Sequence, residues 1–392
     1  MRTEWLLRFD RWIGGALLQF CVRWRPRRLP EAVRTILVFK FMGGGSIAVA
    51  GPLLLALKRR FPDAALVLVC TPQVAVHASL LGLFDRIDVV GDGGFLRLGF
   101  SLLGTLLRCR RMRAELLVNL EVYSRVSVFC AMVAGGGFRT GFHLPEERSV
   151  RRCYDCSLPF PRSAPVFERY DALAAALGGV LPVPGELRRR VTELLSPGEP
   201  ERELLVVAPF CSELSFLRRW EEDSWSVFLE RFLRAFPGWR VLVVGGPKDA
   251  ENAERIIGKL PEELSGRIRS GCGELPLRES VRAIARSTLF IGIDSAPLHW
   301  ARLTGTRTLS IWGATASELL LRPAPWLMES ILQMRAACSP CVHAAGGSIC
   351  SVRAACMAQV DPETVFGEAA LLLERKQPGV RRVERPFQKE EK

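Results

Sequence analysis

The sequence predicts two α/β domains, each a parallel sheet covered by helices on both faces. Three observations carry this. Apolar runs unbroken by polar residues alternate with helical stretches, the pattern of strands buried on both sides. The alternation runs twice. Between the two runs, residues 178–202 are punctuated by Gly178, Gly179, Pro182, Pro184, Gly185, Pro197, Gly198 and Pro200, as in an interdomain linker. At 392 residues the chain also exceeds the ~250–300 that one hydrophobic core usually serves.

In the first run, Thr35–Phe41 reads as a strand, followed by Gly43-Gly44-Gly45 and a helical stretch from Ser46 to Arg60. Ala65–Cys70 is a second strand, a short helix falls near Val74–Leu81, and Arg86–Val90 is a third strand. A basic helix, Arg97–Arg113, leads to the strand Glu115–Leu120 and the helix Arg125–Ala134. The second run opens with the strand Glu203–Ala208, the helix Asp223–Phe236 and the strand Arg240–Gly245. Helices Asp249–Leu260 and Leu277–Ser287 follow, then strand Thr288–Ile293, helix Ala296–Thr304 and strand Thr308–Trp312. In open sheets of this kind the ligand lies at the carboxyl ends of the strands.

Ordinary globular usage, 48% hydrophobic and 24% charged, excludes a disordered or collagen-like chain. Lys and Arg number 54 against 41 acids, a formal charge of +13, which favours polyanionic neighbours. The excess clusters. Residues 1–30 hold seven Arg against Glu4 and Asp10, and Arg97–Arg113 holds five Arg and no acid. Both runs are interleaved with Leu, Phe and Trp, which fits a helix lying in a lipid interface better than a nucleic-acid tail. For Arg97–Arg113 a solvated helix face docked on the core fits as well.

In the first segment Trp5, Leu6, Phe9, Trp12, Ile13, Ala16, Leu17, Phe20 and Trp24 recur at helical spacing. Its uncharged stretch Trp12–Val22 is 11 residues, short of the ~20 that span a bilayer. Asp10 and Arg11 interrupt what would be a signal peptide, and no small-residue cleavage site follows. The expectation is a soluble or peripheral chain in the reducing cytoplasm, with eight of its 12 Cys scattered and several of these acting as small core residues in apolar runs.

Four constellations bear chemistry. Gly43-Gly44-Gly45-Ser46 sits between a strand and a helix, where Gly44, Gly45 and Ser46 would let backbone amides approach an anion. A tight strand-to-helix turn is the alternative. It lacks the spacing of a dinucleotide fingerprint or a P-loop, which argues against a Rossmann oxidoreductase. Arg218-Arg219, after a strand, has the bidentate geometry for a diphosphate. In Phe290–Ala301 a strand ends at Asp294, Ser295 and Ala296 open a helix, and His299 falls one turn on. Amides there would face an anion while Asp294 accepts sugar hydroxyls; an N-cap Asp and a core His are the structural alternatives. The fourth is Cys338-x2-Cys341-x8-Cys350-x5-Cys356, whose count suits a structural zinc while its spacing leaves packing thiols and a disulfide open.

Asp294–Gly313 (DSAPLHWARLTGTRTLSIWG) closely resembles the signature of glycosyltransferase family 9, the ADP-heptose:lipopolysaccharide heptosyltransferase-like enzymes. The resemblance extends to Ile36–Pro52 with a helix ending at Phe61-Pro62, to Arg218-Arg219-Trp220, to Gly245-Gly246-Pro247 and to the Cys-rich Cys338–Met357. It implies a GT-B type fold, two Rossmann-like domains facing each other across a cleft, with acceptor bound mainly by the first and nucleotide-sugar by the second. It implies inverting transfer without a required metal. Carried over by position, Arg218 lies near the donor phosphates, Asp249 on the ribose and Leu275 near the adenine. Ser295 and Ala296 supply the phosphate-cradling amides, while Asp294 and His299 are closest to the sugar.

One departure matters. Family members carry Gly-Asp after the first strand, the Asp being the base that deprotonates the acceptor; the matching pair here is Gly45-Ser46. An unaided Ser hydroxyl is not a base at neutral pH. Glu121, at the end of Glu115–Leu120, is the expected substitute, with a plain loop carboxylate as the alternative.

The boundaries expected are 1–30 as a basic amphipathic membrane-surface segment, 31–180 as the acceptor domain and 181–202 as linker. Residues 203–360 form the nucleotide-sugar domain, and 361–392 a C-terminal helix and charged tail. The function expected is an inverting glycosyltransferase, peripheral on the inner face of the cytoplasmic membrane. It would move heptose or a related sugar from an ADP-heptose-like donor to a lipopolysaccharide or other lipid-linked acceptor, with an anionic membrane surface as partner and no nucleic acid. The competing reading is a non-catalytic nucleotide-sugar-binding homologue or scaffold.

Overall fold

A computed structural model describes residues 26–91, 95–135, 137–212, 216–341 and 355–386, together with Gly14 and Leu18. The chain divides between Leu187 and Arg188 into two compact units.

The first unit runs β1 (Thr35–Lys40), α1 (Gly44–Val49), α2 (Gly51–Arg60), β2 (Ala65–Cys70), α3 (Pro72–Ser79), β3 (Arg86–Val89), α4 (Phe95–Met112) and β4 (Leu116–Asn119). It continues with α5 (Arg125–Ala134), β5 (Phe138–His143), α6 (Arg148–Arg151), β6 (Cys156–Pro159), α7 (Val166–Ala176) and α8 (Glu186–Leu195), which carries the division point. Its six strands are ordered β3-β2-β1-β4-β5-β6, every pairing parallel. Leu37 and Phe39 of β1 join Val67, Val69, Leu106, Cys109 and Ala131 in one core. Their neighbours Ile36 and Val38 are equally buried on the opposite face, as the two-residue period of a strand requires.

The second unit contains β7 (Glu201–Ala208), α9 (Glu222–Ala235), β8 (Arg240–Val243), α10 (Ala250–Ile257), α11 (Glu262–Ser265), β9 (Ile268–Ser270), α12 (Leu277–Arg286), β10 (Ser287–Ile293) and α13 (Ala296–Thr304). It closes with β11 (Thr308–Trp312), α14 (Ser317–Leu320), β12 (Met328–Arg335), α15 (Ala355–Ala358), α16 (Pro362–Glu374) and β13 (Gly379–Pro386). The seven strands are ordered β13-β12-β11-β10-β7-β8-β9, again all parallel. Leu205 and Val207 of β7 pack with Trp225, Phe228, Ile291 and Ile293 on one face. Leu204, Val206 and Ala208 pack with Ile284, Phe290 and Leu298 on the other.

Counted from its own first strand, each sheet begins 3-2-1-4. The chain winds outward from β1 to one side, then from β4 to the other. The second unit repeats this about β7 and β10. Such reversal points are where open sheets bind ligands.

Four differences from the sequence reading have physical causes. The helix expected over Ser46–Arg60 is two helices, α1 and α2, divided at Ala50, because Pro52 lacks the N–H that an unbroken helix would use. Strands β5 and β12 escape an apolar-run criterion because they carry Arg139, Thr140, Glu329, Ser330 and Gln333, all buried and hydrogen-bonded or packed inside the sheet, and β6 escapes it because it is only four residues, CSLP. The charged stretch Gly379–Pro386, expected as tail, is the edge strand β13, held to α16 by Arg381–Glu368 at 3.1 Å. Within 181–202, expected as linker, α8 buries Leu187, Val191 and Leu195.

The basic run falls in α4. Its Leu106 and Cys109 enter the core beside partly buried Leu98, Leu102 and Met112, while Phe100, Leu103 and Leu107 remain exposed. The expected N-terminal surface segment lies outside the described residues except for Gly14 and Leu18. Leu18 is fully buried against Val128, Met132, Val150, Cys153 and Tyr154. Among the described residues no helix is long and apolar enough to cross a membrane.

Candidate functional site

The reversal point of the first sheet is built by the ends of β1 and β4. Register sets it: Phe39 pairs with Asn119, so the loops after both strands emerge together. Gly43 takes φ +82°, the left-handed region that glycine enters without the Cβ clash, and turns the chain into α1. Ser46 closes this turn, its amide donating to the Gly43 carbonyl at 3.0 Å and its hydroxyl to the same oxygen at 2.6 Å.

Glu121 stands beside it, 4% exposed. Three donors converge on its Oε1: the Lys40 ammonium at 3.1 Å and the amides of Phe41 and Met42 at 2.6 and 2.7 Å. Oε2 takes no part in these bonds. The Glu121 amide in turn donates to Asn119 Oδ1 at 3.0 Å, and Asn119 Nδ2 donates to the Tyr154 and Ser127 hydroxyls. Burial raises the Tyr154 phenol far above its ordinary value, so it stays protonated. A carboxylate is thereby clamped between the two strand ends.

His77 of α3 closes the site from the side. A Cβ built on Gly44 would lie 2.1 Å from its Cδ2 and 2.4 Å from its Nε2, so the ring lies directly against the glycine turn.

The reversal point of the second sheet lies between β7 and β10, where Ala208 pairs with Gly292. Arg218, at the end of a short 3-10 turn after β7, donates to the Asp294 carbonyl at 2.9 Å and approaches its Oδ2 at 3.5 Å. Its other terminal nitrogen donates to Ser212 Oγ at 3.2 Å. Asp294 is 5% exposed. Ser295, not Asp294, is the N-cap of α13, yet its side chain makes no cap bond. Its hydroxyl is buried without a hydrogen-bond partner. An orphaned buried hydroxyl costs about 1–3 kcal/mol, so an incoming acceptor atom there has a gain to collect.

Pro297 carries no N–H, which leaves the amides at Ser295–Ala296 as the donors nearest the helix start. His299, one turn further, is pushed down to about 4 by burial, with Asp294 pulling upward and Arg302 and Arg218 pushing down. It is a neutral imidazole at pH 7.

Asp249 and Leu275 lie along the same sheet edge, after β8 and β9. Asp249 Oδ2 accepts from the Gly246 amide at 2.9 Å, and Oδ1 lies 3.8 Å from Arg219. The loops carrying them pack together: the Gly273 amide donates to the Gly245 carbonyl, and the Leu275 amide to Gly271. Arg218 and Arg219 thus face two different acids, and Arg219 also stacks on the Phe216 ring at 4.6 Å.

The expected residues fall into two groups. Gly44, Gly45, Ser46 and Glu121 meet in the first unit, and Arg218, Asp294, Ser295, Ala296 and His299 in the second, with Asp249 and Leu275 further along that edge. Sequence reasoning named Arg219 with Arg218 but missed Lys40, His77 and Ser212. Lys40 and His77 reach the first site only through tertiary pairing. In the cysteine cluster, Cys341 Sγ contacts the Ala314 carbonyl, and Cys356 would meet a Cβ placed on Gly313 at 2.9 Å. Cys338 is exposed, and Cys350 lies outside the described residues. Among the described residues no group of three His, Cys, Asp or Glu side chains could hold a metal.

Fold and site together define an α/β protein of two Rossmann-like units, each with polar groups gathered where its sheet reverses. The sequence profile of glycosyltransferase family 9 (heptosyltransferase) matches residues 109–346. The chain belongs to this family. Lipooligosaccharide heptosyltransferase 2 of Haemophilus influenzae is 28% identical over 131 residues, which cover 32% of this chain and 37% of that protein. The match therefore spans little more than a third of that relative's length. Among solved structures, Escherichia coli ADP-heptose lps heptosyltransferase II is similar with TM-score 0.63 and 18% identity, covering 86% of this chain and 98% of that one. E. coli heptosyltransferase WaaC with ADP gives TM-score 0.66 at 14% identity, covering 86% and 99%. A glycosyl transferase family 9 structure from Veillonella parvula gives 0.63 at 16%, covering 89% and 99%. The fold is of the GT-B type.

Proposed function

We propose that this chain is an inverting glycosyltransferase that moves heptose or a related sugar from a nucleoside diphosphate-sugar to a lipid-linked glycan of the lipopolysaccharide kind. The observation that carries the reading is the orphaned Ser295 hydroxyl at the start of α13, next in the chain to Asp294, whose carbonyl takes the Arg218 guanidinium. That set offers donors only to a ligand that brings acceptor oxygens, as a diphosphate does. Asp249 and Leu275 extend the edge towards the ribose and base. Asp294 and neutral His299 stand nearest the transferred sugar. Charge developing on the departing diphosphate is met by Arg218 and amides rather than by a required cation.

The acceptor belongs to the first unit. Its hydroxyl oxygen attacks the anomeric carbon as the bond from that carbon to the diphosphate oxygen breaks, and its proton passes to Oε2 of Glu121. Lys40 and the two amides on Oε1 keep the carboxylate aimed while Oε2 works. The chain acts from the cytoplasmic face of the membrane, as a peripheral protein on anionic lipid. The cysteines at Cys338–Cys356 are structural whether they hold zinc or stay reduced, and metal analysis of the purified protein decides between the two.

A second reading has its own observation. Ser46 stands where the family resemblance expects the base, and its hydroxyl is committed to the Gly43 carbonyl. A chain that binds nucleotide-sugar without transferring it fits that fact. Thermal-shift screening of ADP, ADP-heptose and UDP-sugars, followed by product analysis with lipopolysaccharide acceptors, separates the two. Stabilisation by the ADP ligands with a new glycoside supports transfer; stabilisation without transfer or donor hydrolysis supports the binder. No stabilisation by any nucleotide overturns both.

A further inference from the structure

We propose that the outward face of α4 is the surface by which this chain docks on an anionic bilayer. The proposal rests on the membrane-peripheral reading above and assigns it to particular residues.

A helix docked on one core needs one apolar stripe. α4 has two. Leu106 and Cys109, with Leu98 and Leu102, face inward. Phe100, Leu103 and Leu107, spaced three and four residues apart, share the opposite side at 74%, 54% and 48% exposure. At these exposures all three are open to solvent. A contiguous apolar face of this kind on a folded chain marks an interaction surface.

The charges say what covers it. Arg97, Arg108, Arg110, Arg111 and Arg113 are all exposed, and the helix contains no acid. Among the described residues none of the five forms a salt bridge. Arginines elsewhere do so freely, as with Arg255 on Glu222 and Glu251, and Arg335 on Glu318 and Glu384. The cations of α4 have therefore been left for an external anion. On a helical projection Arg97, Arg108, Arg110 and Arg111 flank the Phe100–Leu103–Leu107 stripe, so apolar side chains enter the acyl boundary while guanidiniums lie level with phosphates. That is the arrangement of an interfacial helix. A second copy of the chain is the poorer occupant, because a two-fold contact would set the arginines of this face against their own copies. Nucleic acid would satisfy the arginines and leave the apolar stripe without a role.

The test uses the full-length protein and cosedimentation with vesicles of phosphatidylethanolamine and phosphatidylglycerol, against pure phosphatidylcholine. Wild type is expected to bind the anionic vesicles and to release with salt. The triple variant Phe100→Ser/Leu103→Ser/Leu107→Ser, altered only at exposed positions, should bind at least about tenfold more weakly. An unchanged thermal shift with ADP certifies its folding. Arg97→Gln/Arg108→Gln/Arg111→Gln should bind more weakly and with a flatter salt dependence. Arg2→Gln/Arg8→Gln/Arg11→Gln serves as the comparison in the N-terminal segment.

Wild type that ignores every vesicle overturns the membrane reading itself. Wild type that binds, with the serine variant binding equally well, overturns only the assignment to α4. A lipid-free dimer that the serine variant converts to monomer makes the face a self-interface. Tight binding of a single-stranded oligonucleotide that the glutamine variant loses and the serine variant keeps makes it a nucleic-acid surface. Either result overturns the proposal.

Discussion

The two sheets reverse direction in the same way and furnish their reversal points oppositely. Between β1 and β4, polarity is consumed internally: Oε1 of Glu121 takes one ammonium and two amides, and Ser46 closes on Gly43. Between β7 and β10, polarity is left open: Ser295 keeps a buried hydroxyl with no partner beside Arg218. A site whose donors are spent holds one group in a fixed pose. A site with an unpaid hydrogen bond waits for a ligand. Under the proposed reading, the first unit positions a single reactive oxygen and the second supplies binding energy.

The largest expected effect breaks the comparison on the first side. In Glu121→Gln the amide oxygen keeps the bonds from Lys40, Phe41 and Met42, but Oε2 becomes an NH2. Turnover should fall about 10²–10⁴-fold while donor affinity is unchanged, measured by steady-state transfer and by calorimetry with ADP. Near wild-type transfer would remove Glu121 from the chemistry. Arg218→Ala attacks the second side. It should weaken ADP binding about 10–100-fold, the scale of a lost hydrogen bond to a charged group, and titration calorimetry reads it.

Ser295→Ala sharpens the contrast with less force. Donor binding should weaken about 3–10-fold, while the ligand-free protein melts no earlier, because the variant removes an unsatisfied hydroxyl. Loss of apo stability would mean that the hydroxyl has a partner after all. The smallest effect is a pH dependence. The unfolded chain protonates His299 near 6.5, whereas the folded chain resists until about 4. Stability from this group is thus complete above pH 6.5 and declines by about 1–3 kcal/mol as pH falls to 4. His299→Gln should flatten that slope in urea titrations run at several pH values.

Most of the architecture was legible because its central strands are continuous apolar runs: TILVFK, ALVLVC and STLFIGI need only a period and a length to be recognised. The edge strand β13 was not, since it reads GVRRVERP and its Arg381 is balanced by Glu368 of α16, a strand-to-helix contact that no local pattern encodes. The same division runs through the site. Gly43–Gly45 and Asp294–Ala296 are legible because a strand end followed by small residues is a local signal. Lys40 beside Glu121 is not, because 81 residues separate them and only the β1–β4 register joins them. The Asp294 N-cap alternative failed by one residue: Ser295 takes that place, which frees the carboxylate to face Arg218.

Gly44 and His77 carry a consequence for how this chain can vary. A Cβ at 44 would overlap the imidazole, so any side chain there requires the histidine ring to move. The two positions are sterically coupled: a side chain at 44 is accommodated by a shifted or smaller side chain at 77. A selected library randomised at both should return glycine with histidine, or a small side chain at 44 with a trimmed partner at 77, and few combinations besides.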